Sequence, residues 1–354
     1  MKTLVLPPTD QSIQISAEEL RKGGVVGIPT ETVYGLAGNV FDEGALTKIF
    51  SVKERPTFDP LIVHVDQKTL EDLERLGVTD LKSMTPLMKS QADKLMAKFW
   101  PGPLTLVLPK NKKIPDLVTS GMNTVAVRMP KHPVALKLIS VCDFPIAAPS
   151  ANRFGRISPT CAQDVFEELG ERISFILDGG ACEVGLESSV IAIDQSGIPK
   201  LLRPGAVSIE EIQSVLGVKI LFENKTGASP GQLENHYAPK KPLYLLKKSF
   251  LETEVGELAF ISNTARVGVL AFFDEAPNEI QNKLRELTSG EITVKALFKD
   301  RNLENVAREL FSSLRQLDTS SAEVIIAEPF PVQEGLGFAI QDRLNRASQK
   351  QVKS

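Results

Sequence analysis

Hydroxyl side chains and glycines cluster in one short segment near the N-terminus. The segment GIPTETVYGLAGN, residues 27–39, places Thr30 and Thr32 between glycines after a short apolar run. Such a segment exposes side-chain hydroxyls and backbone N–H groups together, which is typical of a loop that binds an anion. The alternative is that both threonines only cap turns. We predict a loop here, followed by a helix near Gly44.

Positive charges follow in the segment SVKERPTFDPLIVHV, residues 51–65. Lys53 and Arg55 lie two residues apart at the end of a predicted helix, where a pair of cations can bind a phosphate or simply interact with the helix dipole. The buried strand after them carries His64, which shares a face with Ile62. A core histidine and a ligand contact are equally compatible with this position.

A further arginine lies inside the apolar strand TVAVRMP. Arg128 shares one face of this strand with Thr124 and Ala126, because side chains alternate along a strand. Burying an unpaired guanidinium is costly, so Arg128 requires an anionic partner. That partner is either a structural carboxylate or the carboxylate of a substrate, and both alternatives stay open.

Small and polar residues also follow a buried strand in FPIAAPSANRFGRISPT, residues 144–160. Ser150, Asn152 and Ser158 lie there among Gly and Pro, which let a ligand approach the backbone closely. Ser150 could instead be a helix N-cap. A Ser-His-Asp hydrolase is poorly supported, because no G-x-S-x-G elbow surrounds Ser150 and no histidine is near it in sequence.

Two further segments, GLESSVI and LLRPGAV, add Ser188 at the start of a strand and Arg203 before a Pro-Gly turn. The sequence contains neither a G-x-x-x-x-G-K-[ST] P-loop nor a G-x-G-x-x-G fingerprint, so neither common nucleotide-binding scaffold is present. The residues alone therefore predict an α/β protein with an anion pocket.

Strands and helices interleave from Gly23 to about Ala206, which predicts an α/β domain with a twisted mixed sheet. A second alternation begins near Leu243, with YLL, LAFIS, VGVLAFF, ITVKALF and EVIIAE as predicted strands, and indicates a smaller α/β domain. The segment between them is rich in Gly, Pro, Ser and Lys and is typical of a linker. We predict a catalytic domain at 1–212, a linker at 213–242 and a C-terminal domain at 243–354.

Composition limits the class of protein. A chain of 354 residues with a formal net charge of −3 has no global attraction for nucleic acid. Three widely separated cysteines argue against a disulfide framework and a structural zinc site, and favour the cytoplasm. No apolar run is long enough for a membrane span, so we expect no membrane association.

The motifs PTETVYGL, K-x-R-P, PLIVHV, FWPGPLTLVL, AVR-x-P, P-x-AAPSAN-x-x-G, LDGG, GLESSVI and LLRPG, in this order, resemble the YrdC-like family of threonylcarbamoyl-AMP synthases. The tail, from SPG and HYAP to GLGFAIQDRLNRAS, resembles the long form of that family. The resemblance implies a YrdC-like domain with a twisted mixed sheet, followed by a smaller Rossmann-like α/β domain.

The resemblance also implies a reaction, in which L-threonine, bicarbonate and ATP with Mg²⁺ give threonylcarbamoyl-AMP and pyrophosphate. The metal would arrive with ATP, without a protein metal site of its own. We expect hand-over of the product to a tRNA threonylcarbamoyl transferase and allow for a weak contact with tRNA. Such a reaction joins anionic groups, so it needs charge neutralisation and positioning more than a protein nucleophile.

Site residues are assigned by the same resemblance. The catalytic tetrad is Lys53, Arg55, Ser150 and Asn152. The implied ATP contacts are this tetrad with Asp59, Thr124, Ser158, Arg203, His236 and Tyr237. The implied L-threonine contacts are Thr32, His64, Arg128, Ser188 and the backbone of Ala148.

Two positions depart from the family pattern. Asp59 stands where an Asn is expected beside the triphosphate, and such a carboxylate needs Mg²⁺ or another cation nearby. Asn235 stands where an Arg often precedes HYAP. His236 and Tyr237 of HYAP would fold over the nucleotide and turn the linker into a lid.

Two other functions compete with this interpretation. One is binding of tRNA or double-stranded RNA without catalysis, which the acidic balance and the scarcity of Trp and Tyr disfavour. The other is carbamoyl transfer in hydrogenase maturation, whose proteins carry a related domain. That function would lead us to expect an acylphosphatase module and cysteine zinc motifs, which the sequence lacks.

Overall fold

The computed structural model of the chain describes residues 2–222, 237–262, 264, 266–272, 277–297, 301–348 and 350–351. The chain divides into two compact units. The first comprises Met1–Phe154 and Ser158–Leu233, and the second comprises Gly155–Ile157 and Glu234–Ser354.

Strands of the first unit form one mixed sheet. Those within the described residues are β1 (Leu4–Leu6), β2 (Val26–Ile28), β3 (Gly35–Asn39), β4 (Ile62–His64), β5 (Leu104–Pro109), β6 (Thr124–Arg128), β7 (Ile146–Ala147), β8 (Phe175–Leu177), β9 (Ser189–Ile193), β10 (Pro199–Arg203) and β11 (Leu221–Phe222). Their order in the sheet is β1-β8-β2-β3-β7-β4-β6-β5-β9-β10-β11, with parallel and antiparallel neighbours mixed.

Helices of the first unit lie between these strands. They are α1 (Asp10–Arg21), α2 (Glu43–Lys53), α3 (Leu70–Arg75), α4 (Pro86–Phe99), α5 (Asp116–Thr119), α6 (Pro133–Cys142), α7 (Ala162–Leu169) and α8 (Ile209–Leu216), with a 3₁₀ turn at Leu81–Ser83. The start of α2 is fixed by Asp42, whose side chain accepts hydrogen bonds from two backbone N–H groups of the first turn. It ends at Glu54 in the left-handed conformation. Lys53 is therefore held on its last turn.

The core of this unit lies between helices and sheet. Ile13 and Leu20 of α1 and Leu138 of α6 pack on Val26 and Ile146 of the sheet, and all of these side chains are buried. Burial of each such side chain stabilises the folded state by roughly 1.5–3 kcal/mol relative to leaving it exposed. This packing holds the sheet in place, and the residues of the candidate site lie at the ends of its strands.

The second unit has a smaller sheet in which all pairs of neighbours are parallel. Its strands within the described residues are β12 (Leu243–Leu245), β13 (Arg266–Ala271), β14 (Glu291–Ala296), β15 (Val324–Ala327) and β16 (Lys350–Gln351), in the order β14-β13-β15-β12-β16. Its helices are α9 (Pro277–Arg285), α10 (Leu303–Thr319) and α11 (Leu336–Ala347), with a 3₁₀ helix at Val255–Ile261. The architecture confirms the prediction of an α/β domain with a mixed sheet, followed by a smaller α/β domain.

Two local predictions are wrong. The predicted strand LAFIS belongs to the 3₁₀ helix, in which Leu258 and Ile261, three residues apart, are buried while the residues between them are exposed. The predicted loop at 27–39 contains β3, which pairs with β2. Within the described residues, the helices include none that is long and apolar enough to cross a membrane.

Candidate active site

Lys53 joins α2 to the Ser-Ala-Asn segment. Its side chain is only 1% exposed, and Nζ donates hydrogen bonds to the backbone oxygens of Ser150, at 2.6 Å, and of Asn152. Burial, and after it the charge of Arg55, holds the pKa of Lys53 well below its usual value. Lys53 is thus no simple dipole partner at a helix end. Ser150 is no helix N-cap either, since it forms an isolated bridge with Gly35 and no helix begins there.

Arg55 lies just beyond the end of α2 and is paired within the chain. Its Nη2 lies 2.8 Å from Oδ2 of Asp59, and both side chains are 3% exposed. Its guanidinium also donates to the backbone oxygens of Asp59, at 3.2 Å, and of Pro60, at 2.8 Å. The cation that Asp59 requires is therefore Arg55, a residue of the predicted ATP group.

Arg128, at the end of β6, contacts three partners among the described residues. Nε donates to the backbone oxygen of Gly102 at 3.1 Å, and Nη1 donates to Oγ1 of Thr32 at 2.8 Å. Nη2 lies 2.6 Å from Oε1 of Glu31, and both side chains of this ion pair are at least 96% buried. The anionic partner left open by the sequence is thus, in this structure, the structural carboxylate of Glu31.

The turn that carries Glu31 and Thr32 follows β2 directly. The backbone N–H groups of Thr32 and Val33 donate to Oγ1 of Thr30, each at 3.2 Å, and Oγ1 donates to the Val33 oxygen. Thr30 therefore caps a turn, as the alternative interpretation predicts. Thr32 has a different role from Thr30, because the Thr32 hydroxyl accepts a hydrogen bond from Arg128.

His64 is the register partner of Arg128 in the parallel pair of β4 and β6. It is buried, and its Nδ1 lies 3.3 Å from the backbone oxygen of Ile62. Burial, and after it the neighbouring Arg128 charge, lowers the pKa of His64 to about 3. A neutral imidazole therefore lies beside the guanidinium. The backbone N–H of Ala148 is occupied by the Ile62 oxygen at 3.0 Å.

Ser188 lies directly before β9, and it contacts Arg203 at the end of the neighbouring strand β10. Nη2 of Arg203 donates to Oγ of Ser188 at 3.1 Å, and Nε donates to the backbone oxygen of the same residue at 3.1 Å. The hydroxyls of Ser188 and Thr105 are 2.7 Å apart. Ser158 donates to Oε1 of Glu187 at 2.5 Å. The hydrogen bonds between Ser188 and Arg203 thus connect a predicted threonine contact, Ser188, with a predicted ATP contact, Arg203.

Backbone hydrogen bonds connect these groups within the first unit. Tyr34, next to the threonine turn, donates its N–H to Pro159 and accepts from the N–H of Ala151, at 2.9 and 2.8 Å. On the other side, the N–H of Ser189 donates to Pro103 at 3.1 Å, directly after the Gly102 oxygen that binds Arg128. Three segments are therefore connected in one region of the sheet. They are the segment that accepts hydrogen bonds from Lys53, the segments that accept hydrogen bonds from Arg128, and the segment that carries Ser188.

Two further predicted ATP contacts are Thr124 of the first unit and Tyr237 of the second unit. Thr124 lines a small cavity of the first unit with Pro60, Leu61 and Met122 among others. Tyr237 belongs to the second unit, where it is fully buried, stacks on Phe311 at a centroid distance of 5.4 Å and lies under Arg343. His236 and Asn235 lie outside the described residues.

Sequence reasoning missed three side chains of the site. Glu31, Thr105 and Glu187 contact Arg128, Ser188 and Ser158 respectively. Glu31 could have been found, because a carboxylate between two buried strands requires a cation. Among the described residues, His, Cys, Asp and Glu do not gather in any group of three that could hold a metal ion.

Fold and site together define an α/β protein in which buried cations and hydroxyls are gathered where anionic substrates could bind. The family described as "Telomere recombination", which unites Sua5, YciO and YrdC proteins, matches residues 18–205. The family described as "Threonylcarbamoyl-AMP synthase, C-terminal domain" matches residues 207–349. The first match covers most of the chain that forms the larger sheet, and the second covers most of the chain that forms the smaller sheet.

Several relatives are similar over almost their whole length. The chain is 38% identical to the threonylcarbamoyl-AMP synthase of Pyrococcus abyssi over 95% of this chain and 94% of the relative. It is 39% identical to that of Bacillus subtilis over 97% and 94%. The crystal structure of P. abyssi Sua5 complexed with L-threonine superposes with a TM-score of 0.84 at 35% identity, and the match covers 99% of this chain and 100% of that one. The chain belongs to the threonylcarbamoyl-AMP synthase family.

Proposed function

We propose that the chain is an L-threonylcarbamoyladenylate synthase, which uses L-threonine, bicarbonate and ATP to supply the precursor of a modified adenosine in tRNA. The observation that carries the proposal is the buried Arg128 guanidinium, held by Gly102, Thr32 and Glu31 beside a neutral His64. A fixed guanidinium is suited to a carboxylate, and its planar geometry allows two parallel hydrogen bonds. Family membership favours the synthase over RNA binding and over carbamoyl transfer.

The proposed reaction has two steps. The neutral α-amine of threonine attacks the carbon of bicarbonate, and loss of water leaves a carbamate. A carbamate oxygen then attacks the α-phosphorus of ATP, and the bond to the bridging oxygen breaks as pyrophosphate leaves. Both steps bring anions together, so the protein contributes mainly positioning and positive charge.

ATP would bind through the tetrad and its neighbours. We assign Arg55, Arg203, Thr124, Ser158 and the Lys53–Ser150–Asn152 cluster to this nucleotide. Mg²⁺ enters with ATP as part of the substrate. Buried cations support the assignment, because a low local dielectric strengthens their attraction for phosphates.

L-Threonine would bind through Arg128, Thr32, His64, Ser188 and the segment at Ala148. The contact between Ser188 and Arg203 supports a threonine site next to the nucleotide site, since one residue of each set touches the other. We keep the assignment of His236 and Tyr237 to the nucleotide as an expectation from the resemblance. Transfer to a tRNA-modifying enzyme and a cytoplasmic location, which the free cysteines favour, belong to the same proposal.

The proposal is tested with pure protein, ATP, Mg²⁺, bicarbonate and radiolabelled L-threonine, followed by chromatography. A new labelled species that co-migrates with an adenylate, and that disappears when any one substrate is omitted, is expected. ATP hydrolysis to AMP without a threonine-containing adenylate would overturn the proposal.

A further inference from the structure

Neither carboxylate oxygen of Glu31 accepts a hydrogen bond from the described residues, although Oε1 is in ion-pair contact with Arg128. Oε1 lies 2.6 Å from Nη2 of Arg128. Oε2 is fully buried and accepts no hydrogen bond from the part of the chain that the structure describes. Leaving such an atom unsatisfied is costly, and native structures usually provide a partner from water or ligand.

Arg128 still has hydrogen-bonding capacity for a substrate. A guanidinium carries five N–H groups. Gly102 and Thr32 each accept one of them, and Glu31 faces a third. One N–H group at Nη1 and one at Nη2 therefore remain. They can bind a second carboxylate, which would lie next to Glu31.

Charge balance determines what that second carboxylate must bring with it. Two carboxylates on one buried guanidinium leave one uncompensated negative charge, which is unfavourable at this burial. An α-amino acid supplies the missing positive charge on the nitrogen of its α-ammonium group, which is bonded to the same Cα as its carboxylate. A 2-hydroxy acid of the same shape does not.

We infer that Glu31 is a specificity-determining residue that receives the α-ammonium group of the amino acid whose carboxylate binds Arg128. The site thereby selects zwitterionic amino acids over 2-hydroxy and 2-oxo acids. This inference rests on the proposed function, because it places the amino-acid substrate at Arg128. Among the described residues, two other titratable side chains interact electrostatically with Glu31: His132, whose pKa is lowered mainly by burial, and Cys182, whose pKa is raised mainly by burial.

The test compares two ligands on the intact protein by calorimetry. One is L-threonine, and the other is its 2-hydroxy analogue, in which a hydroxyl replaces the α-ammonium. Wild-type protein should bind L-threonine about 10- to 100-fold more tightly, which corresponds to a hydrogen bond to a charged group. Equal affinities in the wild type would overturn the inference without any variant.

The variant Glu31→Gln distinguishes two roles of Glu31, which are recognition of the α-ammonium group and positioning of Arg128. Its affinity for L-threonine should fall about 10-fold or more, while its affinity for the 2-hydroxy analogue changes by less than about threefold. Equal losses for both ligands would mean that Glu31 acts only by holding Arg128, and would also overturn the inference.

Glu168→Gln is the matched control, because Glu168 is a largely buried carboxylate paired with Arg153 at 3.5 Å. It should keep the wild-type preference for L-threonine. Failure of the proposed function looks different. A wild-type protein that prefers L-threonine over the analogue yet forms no adenylate would refute the synthase and leave the role of Glu31 standing.

Discussion

Nη2 of Arg55 lies 2.8 Å from Oδ2 of Asp59, and both side chains are almost fully buried. The pair lies in the K-x-R-P segment, where the resemblance places the triphosphate. Asp59 stands where the family pattern has Asn. The chain therefore has an internal carboxylate on the guanidinium that is assigned to ATP.

The first prediction is that Asp59→Asn increases the affinity for ATP. An amide at this position removes a negative charge that repels the triphosphate and competes for Arg55. We expect about a three- to tenfold lower Kd, which corresponds to roughly 0.7–1.4 kcal/mol of binding free energy. The measurement is calorimetric titration with ATP and Mg²⁺.

Asp59→Ala is the comparison for this variant. It removes the carboxylate that lies 2.8 Å from Nη2 of Arg55 in a buried ion pair, so we expect a loss of about 3 kcal/mol in the free energy of unfolding. Weaker ATP binding by Asp59→Asn would show that the carboxylate itself contributes to the nucleotide site.

The second prediction concerns Arg128→Lys. A lysine keeps a positive charge for Glu31 but cannot reproduce the planar fork that contacts Gly102 and Thr32. We expect L-threonine affinity to fall about 10- to 100-fold and ATP affinity to change less than about twofold. The exposed pair Arg172–Glu54 provides the control Arg172→Lys, which should change neither. Equal losses for both ligands would refute the assignment of Arg128 to threonine.

The third prediction is a pH dependence of stability caused by His64. Its folded pKa is about 3, below the unfolded value of 6.5. Between these values the unfolded state binds more protons, so stability is lost as pH falls from 6.5 toward 3. The slope contributed by one such group approaches about 1.4 kcal/mol per pH unit.

The measurement is the free energy of unfolding by denaturant at several pH values, for wild type and His64→Gln. The difference between the two proteins isolates His64 from other titrating groups. We expect the wild type to lose more stability than the variant between pH 6.5 and pH 5. Parallel curves would mean that His64 titrates normally in the folded protein.

The fourth prediction concerns Tyr237 in the second unit. Its ring is buried against Phe311 and under Arg343, so Tyr237→Ala should reduce the stability of this unit by about 3–5 kcal/mol. Tyr237→Phe keeps the ring and should cost less than about 1.5 kcal/mol. Thermal unfolding of the full chain measures both. The ATP affinity of the Phe variant then tests the proposed nucleotide contact without a change in packing.

The family motifs placed Lys53, Ser150 and Asn152 in one set, and the structure brings them together, because Nζ of Lys53 donates to the backbone oxygens of Ser150 and Asn152. These backbone contacts were not predicted, and the contact of Lys53 with phosphate stays a prediction. Backbone acceptors leave no trace in residue types. The partner of Arg128 was likewise left open, because Glu31 and Arg128 lie far apart in the sequence and meet only through the sheet.

The α/β class was predictable because β-branched runs alternate with helical periodicity over most of the chain. Strand β3 was not, because its sequence GLAGN lacks β-branched residues. Its Gly38 packs closely on α2, since a Cβ there would lie 2.9 Å from Cδ1 of Ile49. The 3₁₀ helix at Val255–Ile261 was mistaken for a strand because a short apolar run does not distinguish the two.

The central claim is that one protein joins threonine, bicarbonate and ATP in a single adenylate. The most direct measurement is mass spectrometry of the product formed with ¹³C-bicarbonate in place of ordinary bicarbonate. We predict a threonine-containing adenylate whose mass increases by that of one ¹³C substitution, with pyrophosphate released in equal amount. An adenylate of unchanged mass, such as threonyl-AMP without the carbamoyl carbon, would contradict the account.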